Sequence, residues 1–295
     1  MPTLVIILLN WRNTDDTLAC LAQLSNLPTN TMIQQQIVVI DNGSGGDAVD
    51  RLRAAHPQIT LIAAPANAGF AGGVNQGLQY AMAIRADYAL LLNSDITISS
   101  ALITTLVESA QRDPQAGVLG PKVWHDAKSQ RYSFYGFSVT RHGFRPLGWH
   151  AIDQGQFDHH PISAIPGCAM LISRQALERV GLMDTRFFFY FEDLDYCLRI
   201  QDAGLHVQVV PTVAIEHQLG GSTRSNPARR QFLLGFHRAI FLRKHAWRFQ
   251  IGWLALQELR ELFNQTRNGF SMSFPYLLGL TAGFRAPTPT NKRLR

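Results

Sequence analysis

The chain has 295 residues, of which 46% are hydrophobic and only 16% are charged. This composition allows a large buried core and excludes an intrinsically disordered chain. The formal charge is +6, and the basic excess is concentrated from Arg224 to the C-terminus. Three widely spaced cysteines exclude a disulfide scaffold and a cysteine-based zinc site, which favours a reducing, cytoplasmic environment. Neither a signal peptide nor a membrane-spanning helix is predicted.

The first half of the chain alternates between short apolar runs and helical patterns. Apolar runs typical of strands buried on both faces lie at 4–9, 37–40, 59–63 and 88–92. A glycine-rich turn is predicted at 67–73, followed by a helix over 75–86. This alternation predicts an α/β fold whose Rossmann-like, mostly parallel central sheet is flanked by helices.

Polar residues follow these strands directly, at Asn10, Asp41, Asn67 and 93–95. In parallel sheets, ligands bind beyond the carboxyl ends of the strands. The first half is therefore predicted to bind a nucleotide. No P-loop and no GxGxxG motif follows the first strand, so the usual sequence fingerprints of ATP and dinucleotide binding are absent.

The second half is less regular. Residues 124–161 are rich in aromatic residues and glycines, which favours a hairpin or flap. A buried segment at 166–172, a helix at 174–180, a helix at 197–203 and a strand from 207 are predicted next. From about residue 226 the pattern is helical and basic.

Two strand-end carboxylates are candidates for ligand binding. Asp95 follows Asn93 and Ser94 at the end of an apolar strand, where a carboxylate suits a divalent cation that bridges two phosphates. Capping of the next helix is the structural alternative for Asp95. Asp41 can accept the imide N–H of a uracil or thymine ring, although its sequence, DNGS, is also ordinary turn chemistry.

The segment NAGFAGGVNQG, residues 67–77, has small residues that allow a ligand to approach the backbone closely. The helix N-terminus that follows favours phosphate or sugar oxygens. The alternative is a loop that needs several glycines with positive φ.

The strongest local feature is a run of five aromatic residues, 187–191, that leads into Glu192, Asp193 and Asp195. Crowded carboxylates repel one another, so at least one should have a raised pKa unless a cation is near. Such a group can act as general base for a sugar hydroxyl. Asp195 is expected to pair with Arg199 at i, i+4, which leaves Asp193 as the base. Glu192 either orients its neighbours or caps the helix.

His217 follows the last predicted strand. A lone histidine is more often structural than a ligand, but its imidazole can complete the coordination that Asp95 begins.

These motifs, in this order and spacing over residues 3–245, resemble the inverting GT-A glycosyltransferases of family 2, especially the rhamnosyltransferase-like branch. The segments that carry the resemblance are LVIILLNWR, IVVIDNGS, NAGFAGGVNQG, LLLNSD, GCAMLISR and GLMDTRFFFYFEDLDYCLR, followed by His217. The resemblance implies a GT-A catalytic domain over 1–225, with a nucleotide-binding half at 1–123 and an acceptor half at 124–225. A helical region over 226–295 follows it.

The resemblance also implies a role for each candidate residue. Asp193 would deprotonate the acceptor, with Glu192 and Asp195 on the acceptor side, and Asp95 with His217 would hold Mg²⁺ or Mn²⁺. The residues implied to bind the donor are Asn10, Asp41, Asn67, Gly69, Gly72, Asn75, Asn93 and Ser94. Asn93 departs from the family's DxD motif, and Thr185-Arg186 replaces an acidic residue that many relatives have after Asp184.

The implied reaction is inverting transfer of rhamnose or a related hexose from a dTDP- or UDP-sugar to a glycan or lipid-linked acceptor in cell-envelope synthesis. A non-catalytic sugar-binding module and a metal-dependent phosphoryl transferase are the alternatives. The basic C-terminal region mixes cations with apolar residues, which predicts either an amphipathic segment on an anionic membrane surface or a solvated helix face. The cations in question are Arg229, Arg230, Arg238, Arg243, Lys244, His245 and Arg248. No nucleic-acid-binding motif accompanies them, so nucleic acid is not an expected partner.

Overall fold

The computed structural model describes residues 1–27, 32–158, 160–217, 226–267 and 270–287, and these divide into two units. The first unit comprises residues 1–139, 144–188 and 192–217. The second comprises 140–143, 189–191 and the described residues from 226 onward. The other residues, which include the predicted boundary at 225, lie outside the described part of the chain.

Four parallel strands begin the first unit in the order β3-β2-β1-β4. They are β1 (Thr3–Asn10), β2 (Gln34–Asp41), β3 (Thr60–Ala63) and β4 (Tyr88–Leu92). Helices α1 (Thr14–Ser25), α2 (Ala48–Ala55) and α3 (Gly69–Ala83) connect them. Leu4 to Leu8 of β1 are all at most 2% exposed, as a strand covered on both faces requires. The mixed α/β fold and its mostly parallel sheet are confirmed.

The sheet continues as β4-β10-β6-β11-β5, and β7 also pairs with β6, antiparallel to its C-terminal end. The strands are β5 (Ile96–Thr97), β6 (Ala116–Asp126), β7 (Arg131–Tyr132), β10 (Ala169–Ser173) and β11 (His206–His217). A separate hairpin contains β8 (Gly136–Thr140) and β9 (Gly143–Leu147), within the predicted flap. The helices of this half are α4 (Leu102–Arg112), α5 (Arg174–Val180) and α6 (Glu192–Asp202). Strand β10 runs antiparallel to both of its neighbours.

Helix α3 corrects one prediction, because it begins at Gly69 instead of Asn75. A Cβ on Gly73 would lie 2.5 Å from the Leu9 side chain, and one on Gly77 would lie 2.5 Å from Ile7. These glycines therefore let the helix lie close against β1. Gly73 was misinterpreted as a turn residue because glycine is unfavourable inside most helices.

The second unit contains three helices, α7 (Pro227–Lys244), α8 (Ile251–Arg267) and α9 (Phe270–Arg285). Asn226 caps α7 by accepting the Arg229 N–H at 2.9 Å, and proline occupies the first turn. Helices α7 and α9 pack backbone to backbone at glycines: a Cβ on Gly279 would clash with the carbonyl of Phe232. None of the described helices is long and apolar enough to cross a membrane.

The close packing of α7 and α9 gives a test. We expect Gly279→Ala to lower the free energy of unfolding by about 1–3 kcal/mol, because the added methyl group overpacks the contact with Phe232. Gly252→Ala on α8 is the matched control, since a Cβ there meets nothing within 4 Å. It should be neutral or stabilising by up to about 1 kcal/mol. Denaturant unfolding measures both, and equal effects would contradict the packing.

Candidate functional site

Asn10 and Asp41 lie side by side at the carboxyl ends of β1 and β2, where the parallel register pairs them. Both are buried, and Asn10 Nδ2 donates to Asp41 Oδ1 at 2.8 Å. Asp41 Oδ2 accepts the backbone N–H of Ser44 at 3.2 Å, and Asn10 Nδ2 also donates to the Ser44 hydroxyl at 3.2 Å. These bonds fix the Asp41 carboxylate in one orientation at the edge of the sheet.

Asn42 organises the glycine-rich segment, and the sequence patterns did not single it out. Its Nδ2 donates to Asn67 Oδ1 at 3.1 Å and to the Gly69 carbonyl at 3.0 Å, while its Oδ1 accepts the Ala68 N–H at 3.0 Å. Asn67 Oδ1 in turn accepts the Gly69 N–H at 2.8 Å. The buried amide of Asn42 thus holds the start of α3 against the end of β2. The signal was present in the sequence, since Asn42 directly follows the strand-end Asp41.

Gly69 brings this segment against the aromatic run. Its φ is +77°, and a Cβ there would clash with the carbonyl of Phe188. The next residue, Phe70, donates its N–H to that same carbonyl at 2.7 Å. Gly72 is tight within its own helix, since a Cβ there would lie 2.8 Å from the Ala68 methyl group. Glycine is required at 69 for both conformation and space.

Asn75 has a different environment from the other predicted donor-binding residues. Its amide donates to the Met183 carbonyl and accepts the Met183 N–H, both at 2.9 Å. Because both ends of the side chain are bonded to the backbone inside the protein, its placement favours a structural role over donor binding.

The two residues predicted to bind a metal, Asp95 and His217, lie close together where β5 pairs with β11. In this pair His217 lies opposite Ile96. His217 Nε2 is 3.2 Å from Asp95 Oδ1 and 3.3 Å from Asn93 Nδ2. The His217 carbonyl is held by the Ser133 hydroxyl at 3.1 Å, and Ser94 is half-buried beside them in the chain. Burial alone would raise the pKa of Asp95. Hydrogen bonding and charge from His217, with an added bond from Asn93, lower it below the ordinary value.

Asp193 stands in the first turn of α6. Its Oδ2 accepts the Gly167 N–H at 3.1 Å and its Oδ1 accepts the Leu194 N–H at 2.7 Å. Burial raises the pKa of Asp193, although these backbone donors act in the opposite direction. The raised pKa agrees with the expectation for one carboxylate of this cluster. Its cause is different, since desolvation dominates and not repulsion between neighbouring acids.

Residues Gly167 and Cys168 connect the two carboxylate sites. While Gly167 binds Asp193, the Cys168 carbonyl accepts the Asn93 N–H at 2.8 Å. Burial raises the pKa of the Cys168 thiol, and the negative charges of Asp95 and Asp193 raise it further. One short segment before β10 is therefore close to both acids. It was missed because a Gly-Cys pair has no chemical signature of its own.

The other two acids of the cluster, Glu192 and Asp195, are buried. Asp195 binds the Arg199 guanidinium at 2.9 Å, so the ion pair predicted from their spacing is present. Arg199 also donates to the carbonyls of Val180 and Leu182, which places Asp195 in a structural network. Glu192 is 7% exposed at the first residue of the helix.

The backbone that leads into α6 is strained. Tyr190 and Phe191 have φ values of +77° and +70°, in a region that bulky side chains rarely adopt. Each such residue costs about 1–3 kcal/mol, and such strain is concentrated at functional sites. Nothing in the run FFFYF predicts it, because left-handed backbone is expected at glycine or asparagine.

The side chains that could bind a metal suit a cation that the protein holds only in part. Among the described residues no group of three or more His, Cys, Asp or Glu side chains is arranged to hold a metal. Asp95 and His217 supply one carboxylate and one imidazole, both suitable for Mn²⁺, and a nucleoside diphosphate would supply further oxygens.

Comparisons with known proteins give the family and several relatives of the chain. The family model "Glycosyltransferase like family 2" matches residues 2–233. An N-acetylglucosaminyl-diphospho-decaprenol L-rhamnosyltransferase of Mycobacterium tuberculosis is 25% identical over 259 residues, covering 78% of this chain and 82% of that protein. The dTDP-rhamnosyl transferase RfbF of Shigella flexneri is 27% identical over 185 residues, covering 62% of this chain and 60% of that protein.

A solved structure shows the fold. The mannosyltransferase PcManGT of Pyrobaculum calidifontis, in complex with GDP-Man and Mn²⁺, superposes with a TM-score of 0.59 at 15% identity. The match covers 97% of this chain and 88% of that one. The expected GT-A fold is thereby confirmed.

The contact between His217 and Asp95 predicts that the pKa of Asp95 depends on His217. In His217→Ala we expect the pKa of Asp95 to rise, because the bond that lowers it is lost while burial remains. Carboxyl NMR titration of the metal-free protein measures this. His206→Ala is the control: His206 binds Asp113 at 2.7 Å, so it should raise the pKa of Asp113 and leave Asp95 unchanged. An unmoved Asp95 pKa in His217→Ala would show that this contact does not set its charge.

Proposed function

The chain belongs to glycosyltransferase-like family 2 and is a glycosyltransferase, and from this premise we propose the donor, the acceptor and the residues that its reaction uses. The donor is a dTDP- or UDP-sugar, with dTDP-rhamnose first because two relatives are rhamnosyltransferases. The acceptor is a hydroxyl of a glycan or of a lipid-linked sugar in cell-envelope polysaccharide synthesis. Such an acceptor places the enzyme at the inner face of the cell membrane.

The main support for the proposal is that the segment Gly167-Cys168 lies between Asp95 and Asp193. The pKa of Asp95 is lowered, whereas the pKa of Asp193 is raised. The donor site includes Asp41, which would accept the imide N–H of the base, and the segment from Asn67 to Gly72. Asn10 would orient Asp41 through their 2.8 Å bond. Asn93 and Ser94 would lie beside the diphosphate.

Asp193 would act as the general base. Its pKa is raised by burial, which makes its carboxylate a stronger base for an acceptor hydroxyl. The N–H groups of Gly167 and Leu194 hold the carboxylate in place. As Asp193 takes the proton, the acceptor oxygen attacks the anomeric carbon opposite the departing diphosphate. Attack from that side inverts the anomeric configuration.

Asp95 and His217 would hold Mg²⁺ or Mn²⁺. Such a cation neutralises the charge of the leaving diphosphate when bound. Asn93 supplies an amide where the family motif has a carboxylate, so the protein provides less negative charge than a DxD pair. We therefore propose that the cation is held mainly together with the donor.

The base role has a direct test. We expect Asp193→Asn to lower the rate of sugar transfer by about 10²–10⁴-fold, because the amide cannot accept the acceptor proton. Donor affinity and melting temperature should stay close to those of the parent. Asp202→Asn, at the exposed end of the same helix, is the matched control and should transfer normally. Near-normal transfer by Asp193→Asn would remove Asp193 as the base.

Donor and cation can be identified together by thermal shift. A panel of dTDP-, UDP- and GDP-sugars, each with and without Mn²⁺, should show the largest stabilisation with dTDP-rhamnose plus Mn²⁺. At a hundredfold excess over Kd, a single ligand stabilises by about 2.7 kcal/mol. Asp95→Asn should lose the Mn²⁺-dependent part of the shift and keep the part that comes from the base. A shift that is the same with and without Mn²⁺ would contradict the proposed cation.

A further inference from the structure

Exposed apolar side chains are concentrated in the second unit. Of the sixteen large hydrophobic residues that are exposed among the described residues, ten lie between 247 and 284. They are Trp247, Ile251, Trp253, Leu256, Leu259, Phe263, Phe274, Leu277, Leu278 and Phe284. Scattered apolar residues need no explanation, but such a concentration on neighbouring helices marks an interaction surface.

Helix α8 has a continuous outward apolar stripe. Leu256, Leu259 and Phe263 recur at the i, i+3, i+7 spacing of one helix face, and all are exposed. Leu256 is 56% exposed and Leu259 is 65% exposed. The opposite side carries Glu258, which forms a bidentate ion pair with Arg238 of α7. The polar face of this helix is thus turned inward and its apolar face outward.

Helix α9 repeats the arrangement. Its small or buried residues, Tyr276, Gly279 and Gly283, pack against α7. Its outward positions are Phe274 at 55% exposed, Leu278 at 47% and Phe284 at 48%. We call the exposed apolar residues of α8 and α9 together the outer apolar surface.

Two basic residues of α7 have partners inside the second unit. Arg238 is 7% exposed and bound to Glu258, while Arg243 donates to the carbonyls of Gly283 and Ala286. These two cations connect α7 to α8 and α9. The exposed cations lie at Arg229 and Arg230 of α7, Arg260 of α8 and Arg285 of α9.

From this geometry we propose that the outer apolar surface docks onto an anionic lipid bilayer. Residues 226–295 contain twelve lysines and arginines but only two acids, a net charge of +10 in a chain of +6. A second copy of the chain would bring the same charge to the contact and be repelled, whereas anionic headgroups attract it. Exposed Trp247 and Trp253 suit the headgroup region, where an aromatic ring with a polar edge is favoured. Helices of this kind lie in the interface without crossing it.

This inference deepens the proposed function, because a lipid-linked acceptor would be presented at such a surface. Its test uses binding alone, so failure of sugar transfer and failure of docking are distinguishable. Full-length protein is floated with vesicles of phosphatidylcholine alone or of phosphatidylcholine mixed with phosphatidylglycerol. We expect at least about tenfold stronger binding to the mixed vesicles, since cations near an anionic surface strengthen the attachment.

Two double variants then test the surface itself: Leu256→Glu with Leu259→Glu on α8, and Phe274→Glu with Leu278→Glu on α9. Each should lower binding to the mixed vesicles by at least about tenfold, because two apolar side chains that would be buried in the bilayer are lost. Leu256→Ala with Leu259→Ala keeps a strong helix former at both positions and should also weaken binding, which guards against a folding defect. Circular dichroism checks the helices.

The matched control is Met82→Glu with Ile84→Glu, at exposed apolar positions of the first unit. It should float as the parent does. Loss of flotation in either surface variant, with the control unchanged, supports the proposal. Parent-like flotation of both surface variants overturns it. The proposal is also overturned if the parent protein does not float, is a dimer by light scattering, and becomes a monomer in the surface variants. That result would assign the outer apolar surface to a second copy of the chain.

Discussion

The direction of β10 is the constraint on which the site depends. Because β10 runs antiparallel between β4 and β6, the residues before it lie at the same edge as the residues that follow β4. The segment Gly167-Cys168 is thereby placed where Asn93 begins the predicted metal-binding motif, and Gly167 also donates to Asp193. A parallel strand at this position would begin at the opposite edge of the sheet. One reversed strand in a mostly parallel sheet therefore brings the two acids to a common backbone segment.

The two acids then differ in electrostatics although they share this neighbour. Asp95 is partly desolvated, but the hydrogen bond and the charge of His217 lower its pKa. For Asp193, burial outweighs the two backbone N–H donors and raises the pKa. Separated pKa values allow two carboxylates in one site to serve different purposes, one as a permanent anion and one as a proton acceptor. The charges of both acids also act on the buried Cys168 thiol, because both oppose its ionisation. In the proposed mechanism, the division of roles between Asp95 and Asp193 follows from which acid has a histidine beside it.

The sequence predicted the strands well because a doubly covered strand must be apolar throughout, as in 4–9 and 88–92. It predicted the strand-end residues for the same reason, since Asn10, Asp41 and Asp95 each interrupt an apolar run. It could not predict partners that arise only from the tertiary fold. Asn42 and Gly167 act through hydrogen bonds to distant segments, and the partner of Asn75, Met183, is 108 residues away. Likewise, the burial of Arg238 depends on Glu258, so the sequence pattern alone did not distinguish this cation from the exposed Arg229 and Arg230.

The geometry of His217 also explains how a motif with a single carboxylate can serve a cation. An ionised carboxylate only accepts hydrogen bonds, so His217 Nε2, 3.2 Å from Asp95 Oδ1, bonds to it when that nitrogen carries the ring proton. In the proposed metal site the same nitrogen would be the ligand, and a ring nitrogen cannot carry a proton and a metal together. Proton and cation would then compete for one atom, as is general where metal binding releases a proton from its ligands. In a DxD motif a second carboxylate would add negative charge to the site. With Asn93 in its place, that charge would come from the diphosphate of the donor, so cation and donor would bind together.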